Sequence, residues 1–89
     1  MKASAEISLY PLEEQYKDRI IAFIKRLRDN KELKVQTNGM STQLFGTYDA
    51  IISSLQNELR SEIESGRTVA VIKLTGGIMS TENLPQELK

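Results

Sequence analysis

The sequence predicts a small α+β domain in which two helices cover one face of a four-stranded antiparallel sheet. Three stretches alternate apolar and polar residues as strands do, and a fourth is a run of apolar and β-branched residues. Two further stretches repeat apolar residues at three- and four-residue steps as helices do. Their order along the chain is β-α-β-β-α-β. Right-handed crossovers then place the strands in the order 4-1-3-2, with the first and third in the centre. This is the ferredoxin-like two-layer sandwich.

The first half of the chain supplies one strand and one helix. Residues 3–10 alternate cleanly between apolar and polar side chains, and Pro11 ends this strand. Residues 12–29 form the predicted first helix, with acidic residues near its start and basic residues near its end, as the helix dipole favours. Its apolar stripe consists of Tyr16, Ile20, Phe23, Ile24 and Leu27.

Two further strands flank an Asn-Gly pair. Leu33–Thr37 and the stretch ending at Gly46 alternate, and Asn38-Gly39 between them is typical of a two-residue hairpin turn. Such a turn predicts that Thr37 lies opposite Met40. The resulting register puts four side chains together on the core side of the sheet: Leu33, Val35, Thr42 and Leu44.

The second helix is predicted over Asp49–Ile63, with Thr47 or Asp49 as its cap and Gly66 as its stop. Its predicted stripe is Ile52, Leu55, Leu59 and Ile63. The last strand is Arg67–Thr75. We expect residues 1–75 to form a single domain and residues 76–89 a loose or partly ordered C-terminal tail, because the tail has turn residues and little periodicity.

Composition excludes several classes of function. The chain has 89 residues, 12 basic and 12 acidic, and neither cysteine nor histidine. Disulfides, zinc sites of Cys or His, and Cys–His or Ser–His–Asp catalysis are therefore excluded, and we expect no metal and no cofactor. The balanced charge disfavours nucleic acid, and no apolar run is long enough for a membrane span. We expect a cytoplasmic protein whose stability would gain from self-association.

The sheet face without helices carries an unusual mixture of side chains. It is predicted to hold Glu6, Ser8, Tyr10, Gln36, Ser41, Gln43, Phe45, Val69, Val71 and Lys73. Exposed valines and an aromatic ring form the kind of patch that marks an interface, whereas buried Glu and Gln need partners. We interpret this face as a protein–protein surface with a polar pocket. The alternative is a plain solvated face on which Glu6 pairs with Lys73.

Two stretches resemble the small thiamine-binding protein family of bacteria and archaea, formerly catalogued as a domain of unknown function. They are "SAEISLYPL" at 4–12 and "TNGMSTQLFGTYDAI" at 37–51. The resemblance covers roughly residues 2–75. It implies a ferredoxin-like homo-oligomer, commonly a homotetramer built as a dimer of dimers packed through sheets. It also implies binding of thiamine (vitamin B1), or of its hydroxymethylpyrimidine moiety, without catalysis.

The chemistry of that ligand selects the candidate binding residues. A carboxylate, Glu6, would accept from the amino group or protonated ring nitrogen of the pyrimidine, and the Gln43 amide would donate and accept together. Phe45 or Tyr10 would stack on a ring or face the cation. The full predicted site is Glu6, Ser8, Asn38, Met40, Ser41, Gln43 and Phe45. Turn geometry alone also explains Asn38, and packing on the core side is the expected role of Met40.

Other functions of the same fold remain open from the sequence. An effector-binding regulatory or oligomerisation module without thiamine would use loop glycines at subunit interfaces. A hydrolase of the acylphosphatase type would need a phosphate-binding loop and an arginine after the first strand, and "YPLEEQYKDR" supplies neither at close spacing. An adaptor that binds only protein is the third possibility.

Overall fold

The computed structural model describes all residues, Met1–Lys89, and confirms the predicted order of elements. The six main elements are β1 (Lys2–Pro11), α1 (Tyr16–Asp29), β2 (Lys34–Thr37), β3 (Thr42–Thr47), α2 (Tyr48–Ser65) and β4 (Thr68–Gly76). Two short 3₁₀ helices follow, at Thr81–Asn83 and Gln86–Leu88. No helix combines the length and the apolar character that crossing a lipid bilayer requires.

The sheet has the order β2-β3-β1-β4, and every neighbouring pair is antiparallel. This is the predicted 4-1-3-2 arrangement. The apolar parity of β1 faces the helices, and its members join helix side chains in one core cluster that includes Phe23, Leu27, Leu44 and Ile51. We call the opposite side of the sheet the open face, because no helix covers it.

The β2–β3 register differs from the prediction by two residues. Thr37 lies opposite Thr42 and not opposite Met40, so the connection is a four-residue loop, 38–41. The Asn38 Oδ1 atom accepts from the backbone N–H groups of Met40 and Ser41 at 2.8 and 3.1 Å. This side-chain turn replaces the two-residue hairpin, and Gly39 does not adopt the positive φ that the predicted turn requires. A shift of two residues leaves every side chain on its predicted face.

The helices begin or pack differently from their predictions at two points. α1 starts at Tyr16, so Glu13 and Glu14 precede the helix and Asp18 is the acidic residue of its first turn. α2 starts as expected, with the Thr47 hydroxyl accepting from the N–H of Ala50 at 3.2 Å. Near its end, however, Ile63 is exposed and Glu62 is buried, so the predicted stripe does not extend to Ile63.

Candidate functional site

Strand pairing arranges the open-face side chains in rows across the sheet, because residues paired across strands share a face. The first row is Thr75, Ser4, Phe45 and Lys34, and the second is Lys73, Glu6, Gln43 and Gln36. The next two rows join Val71 to Ser8 and Val69 to Tyr10. Each row has its own character. The second row is entirely polar, whereas Val69 and Val71 are exposed apolar residues on an outer strand.

Glu6 is the centre of the polar second row. Its Oε2 atom accepts a hydrogen bond from the Ser41 hydroxyl at 2.9 Å. Its Oε1 atom lies 3.6 Å from the Nζ atom of Lys73, whose side chain is 81% exposed. One carboxylate oxygen is therefore held by Ser41, while the other faces a solvated ammonium group, and ion pairs of this exposed kind are weak. Gln43 is the cross-strand neighbour of Glu6 and presents its amide to the same region.

The C-terminal tail crosses the first row of the open face. The Ser4 hydroxyl donates to the Gly77 carbonyl at 2.7 Å and accepts from the Met79 N–H at 2.9 Å. Glu82 then forms an ion pair with Lys34 at 2.9 Å. Ser4 and Lys34 flank Phe45 in the row, so the tail passes over this ring and accounts for its exposure of only 4%. We call residues 77–84 the strap, which is the part of the C-terminal tail that contacts the sheet.

The strap and the second row border an open concavity of about 380 Å³, which we call the open-face cavity. It is lined by Ser4, Ala5, Glu6, Gln43, Phe45, Lys73, Leu74, Thr75 and Met79. The strap forms one wall, and the polar row forms the floor. A carboxylate, an amide and an ammonium group thus converge beside apolar wall atoms, a combination typical of small-molecule sites.

The structure divides the predicted site between two concavities. Glu6, Gln43 and Phe45 line the open-face cavity. Ser8, Asn38, Met40 and Ser41 line a second groove of about 420 Å³, bounded by α1, the end of β1 and the 38–41 loop. The hydrogen bond between Ser41 and Glu6 joins the two concavities. We call the second concavity the hairpin groove.

Three of the predicted roles change with this geometry. Phe45 is covered by the strap and does not present a free ring face for stacking. Met40 is 86% exposed at the loop tip, so the core-packing role expected for it is wrong. Tyr10 is exposed in the hairpin groove, away from the open-face cavity. Ser8 donates only a long hydrogen bond, 3.4 Å, to the Met40 carbonyl.

The candidate site also includes residues that the sequence did not identify. Ser4, Thr75 and Met79 line the open-face cavity, and Lys73 was expected on this face but not in the pocket. Its cross-strand pairing with Glu6 could have identified Lys73 as a residue of the pocket. No local pattern indicates Met79, because its position depends on contacts with Ser4, which lies 75 residues earlier in the chain.

A second charged cluster, between the helices, is separate from both concavities. Glu62 accepts hydrogen bonds from Arg19 at 2.6 Å and from Arg26 at 2.7 Å, and Arg26 also donates to Glu58 at 2.6 Å. Burial raises the pKa of the Glu62 carboxyl, but the bonds from Arg26 and Arg19 outweigh it and hold the pKa below its ordinary value. Hydrogen bonds to Glu62 and Glu58 raise the pKa of Arg26.

This cluster joins the two helices to the start of β4. Arg19 also donates to the Thr68 hydroxyl at 2.9 Å and to the Glu62 carbonyl at 2.8 Å. Its Nη1 atom is buried without a partner. Because the guanidinium is already neutralised by Glu62, the cluster is a structural ion-pair network and not a binding site for an anion.

Comparison with solved structures identifies the same fold in three proteins. A Streptococcus pneumoniae protein superposes with a TM-score of 0.80 at 21% identity, covering 99% of this chain and 98% of its own. A hypothetical protein of Methanocaldococcus jannaschii gives 0.74 at 24% identity, covering 98% and 92%. A Thermotoga maritima protein with a proposed role in thiamine biosynthesis or salvage gives 0.75 at 15% identity, covering 99% and 94%. These likenesses establish the fold alone.

No curated protein sequence matches the chain. A family model does match, and it spans residues 2–79, which include all four strands, both helices and the beginning of the strap. Strand order, helix placement and this match agree. The chain belongs to the YkoF-related family.

Proposed function

We propose that this protein binds thiamine, or its hydroxymethylpyrimidine moiety, in the open-face cavity and does not transform it. The proposal rests on the contacts of the two carboxylate oxygens of Glu6. A carboxylate in a central strand has one oxygen fixed by Ser41 at 2.9 Å and the other facing only a displaceable lysine at 3.6 Å. An aminopyrimidine offers its amino group, or a protonated ring nitrogen, as the donor to such an oxygen.

The remaining groups of the cavity suit the same ligand. Gln43 lies beside Glu6 and supplies both a donor and an acceptor for ring nitrogens. A volume of about 380 Å³ lies at the small end of the range of roughly 300–1,000 Å³ typical of ligand pockets. The fold likeness to a Thermotoga maritima protein with a proposed role in thiamine metabolism adds support of a weaker kind.

Calorimetry with thiamine and with hydroxymethylpyrimidine tests the proposal. Glu6→Gln keeps the shape of the side chain but removes its charge, and we expect affinity to fall by more than about tenfold, since hydrogen bonds to charged groups contribute about 1.5–3 kcal/mol. Glu64→Gln, on the exposed surface of α2, is the matched control. Equal affinity of Glu6→Gln and wild type would remove Glu6 from the site. Mass spectrometry should recover the ligand unchanged.

We also propose that the protein is a homo-oligomer in which β4 pairs with β4 of a second copy. β4 is an outer strand of nine residues, with exposed apolar side chains on both faces: Val69, Val71, Ile72 and Leu74. Long apolar edges of this kind are normally paired or covered. The other edge, β2, has only four residues and carries Lys34, which the strap engages.

A two-fold axis between Ile72 and Ile72 of the second copy would pair the whole of β4 with β4 of that copy. In that register, Val71 lies opposite Lys73 of the second copy, so no like charges meet across the seam. Both open faces lie on the same side of the resulting eight-stranded sheet. Stacking of two such sheets would then give a dimer of dimers.

Light scattering on two substitutions at one position tests this pairing. Val71→Lys places two ammonium groups opposite each other and should yield a monomer. Val71→Glu places a carboxylate opposite Lys73 and should preserve the dimer. Since both charges would disturb sheet stacking equally, only edge pairing predicts different masses. Equal masses for the two variants, or a monomeric wild type, would refute the β4 interface.

A further inference from the structure

The strap places one flexible apolar side chain against the polar floor of the open-face cavity. Met79 lines that cavity while remaining 61% exposed. Its backbone N–H is held by the Ser4 hydroxyl at 2.9 Å, and the same hydroxyl donates to Gly77 at 2.7 Å. Ser4 itself is buried. The Ser4 hydroxyl thus holds the strap on both sides of Ile78, next to the point where the Met79 side chain reaches the cavity. The Gly77 N–H, which donates to the Lys2 carbonyl at 2.9 Å, and the Lys34–Glu82 ion pair attach the strap on either side of this point.

Gly77 makes this arrangement possible. Its φ of 84° lies in the left-handed region that favours glycine. A Cβ at this position would also approach the Met79 methyl carbon to 3.2 Å. The turn therefore directs the chain from the end of β4 across the first row of the open face, and it places the Met79 methyl group close to Gly77.

Met79 is also the apolar group best placed to meet a flat ring. Phe45, the aromatic side chain of the cavity, is covered by the strap and only 4% exposed. A thioether is polarisable and packs favourably against aromatic rings. The contact that the sequence assigned to Phe45 is thus available from Met79, a residue outside the predicted site.

We propose that Met79 contacts the ring of the bound ligand and determines selectivity for planar heterocycles, and that Ser4 is the residue that positions it. This inference rests on the proposed function of the open-face cavity. The ligand ring would lie on the second row, with its polar edge toward Glu6 and one side against the Met79 side chain. Ser4 would act only through the strap and would not touch the ligand.

Calorimetry with thiamine and hydroxymethylpyrimidine on four full-length variants tests the inference. We expect Met79→Ala to weaken binding about fivefold, the size of a lost sulfur–ring contact. Ser4→Ala should weaken binding in the same direction. The double variant should be no weaker than the more affected single variant, because both changes remove one interaction. Leu88→Ala, an exposed apolar residue beyond the strap, is the control.

A second measurement separates positioning from general stability. Amide hydrogen exchange without ligand should show faster exchange at Met79 in Ser4→Ala, with β1 and β3 unchanged. Binding by wild type with equal affinity of Met79→Ala overturns the inference and leaves the proposed function intact. Additive losses in the double variant overturn the positioning role of Ser4. Failure of wild type to bind either ligand overturns the proposed function and this inference together.

Discussion

Replacement of Glu62 by glutamine gives the sharpest test of what joins the two helices. The Glu62 side chain is 6% exposed and that of Arg19 15%, and their charged atoms lie 2.6 Å apart. Removing one member of a buried ion pair costs about 3–5 kcal/mol, because the other charge stays buried without compensation. Arg26 is 37% exposed and can regain water, and Arg19 keeps the Glu13 carboxylate 3.5 Å away, so we expect the lower end, about 3 kcal/mol.

This loss should be visible as a large change in thermal stability. For a domain of this size, each kcal/mol shifts the melting temperature by about 4–8 °C, so Glu62→Gln should melt more than about 10 °C below wild type. Circular dichroism on heating, together with urea unfolding at pH 7, measures both quantities. Glu64→Gln, two residues further along α2 and exposed, should match wild type.

The difference between the two proteins should depend on pH. Because the folded-state pKa of Glu62 is lowered from an ordinary value of 4.5, its stabilisation is complete above that value. It is lost as the pH falls through the lower, folded-state pKa. Wild type and Glu62→Gln should therefore converge in acid. A destabilisation below about 0.5 kcal/mol at pH 7, within the range of ordinary surface substitutions, or a difference that does not narrow as the pH falls below 4.5, would refute the ion-pair assignment.

Two further substitutions test local features of the fold by urea unfolding. Gly46→Ala should destabilise by about 1–3 kcal/mol through overpacking, because a Cβ there would lie 3.0 Å from the Glu32 carbonyl oxygen; Gly39→Ala, with no atom within 4 Å of its Cβ, is the control. Equal stability of the two variants would contradict this close approach. Thr47→Ala removes the cap that accepts from Ala50 and should cost about 0.5–2 kcal/mol. Thr47→Ser should retain most of that stability.

The fold and the faces of its strands could be predicted from the sequence because both depend on the spacing at which apolar residues repeat. Alternation along β1 and β3 assigns each side chain to the core or the open face, whatever the exact register. The β2–β3 hairpin shows that the faces are predicted correctly even where the register is not. The register differed by two residues because the Asn38 side chain accepts from two backbone N–H groups, yet Leu44 and Thr42 still face the core. A shift of one residue would have exchanged the two faces.

Glu62 shows where the spacing of apolar residues fails to predict burial. A charged residue among other charges on a helix is normally exposed, and Ile63 beside it is the better core candidate. The structure reverses the two because Arg19 and Arg26 reach Glu62 from α1. Whether a carboxylate is buried depends on such partners in another element, and their approach is set by helix packing, which local sequence does not encode.

The candidate site was predicted only as far as the strands alone define it. Glu6 and Gln43 are adjacent in the sheet, so their meeting follows from topology. The wall formed by Met79 does not, because it depends on long-range contacts of the strap, including two hydrogen bonds to one serine 73 and 75 residues away. Sheet topology thus supplies a polar floor to any chain with this strand pattern, whereas the strap converts that floor into a cavity. Under the function proposed for this cavity, changes in the strap should therefore alter ligand selectivity more than changes in the strands.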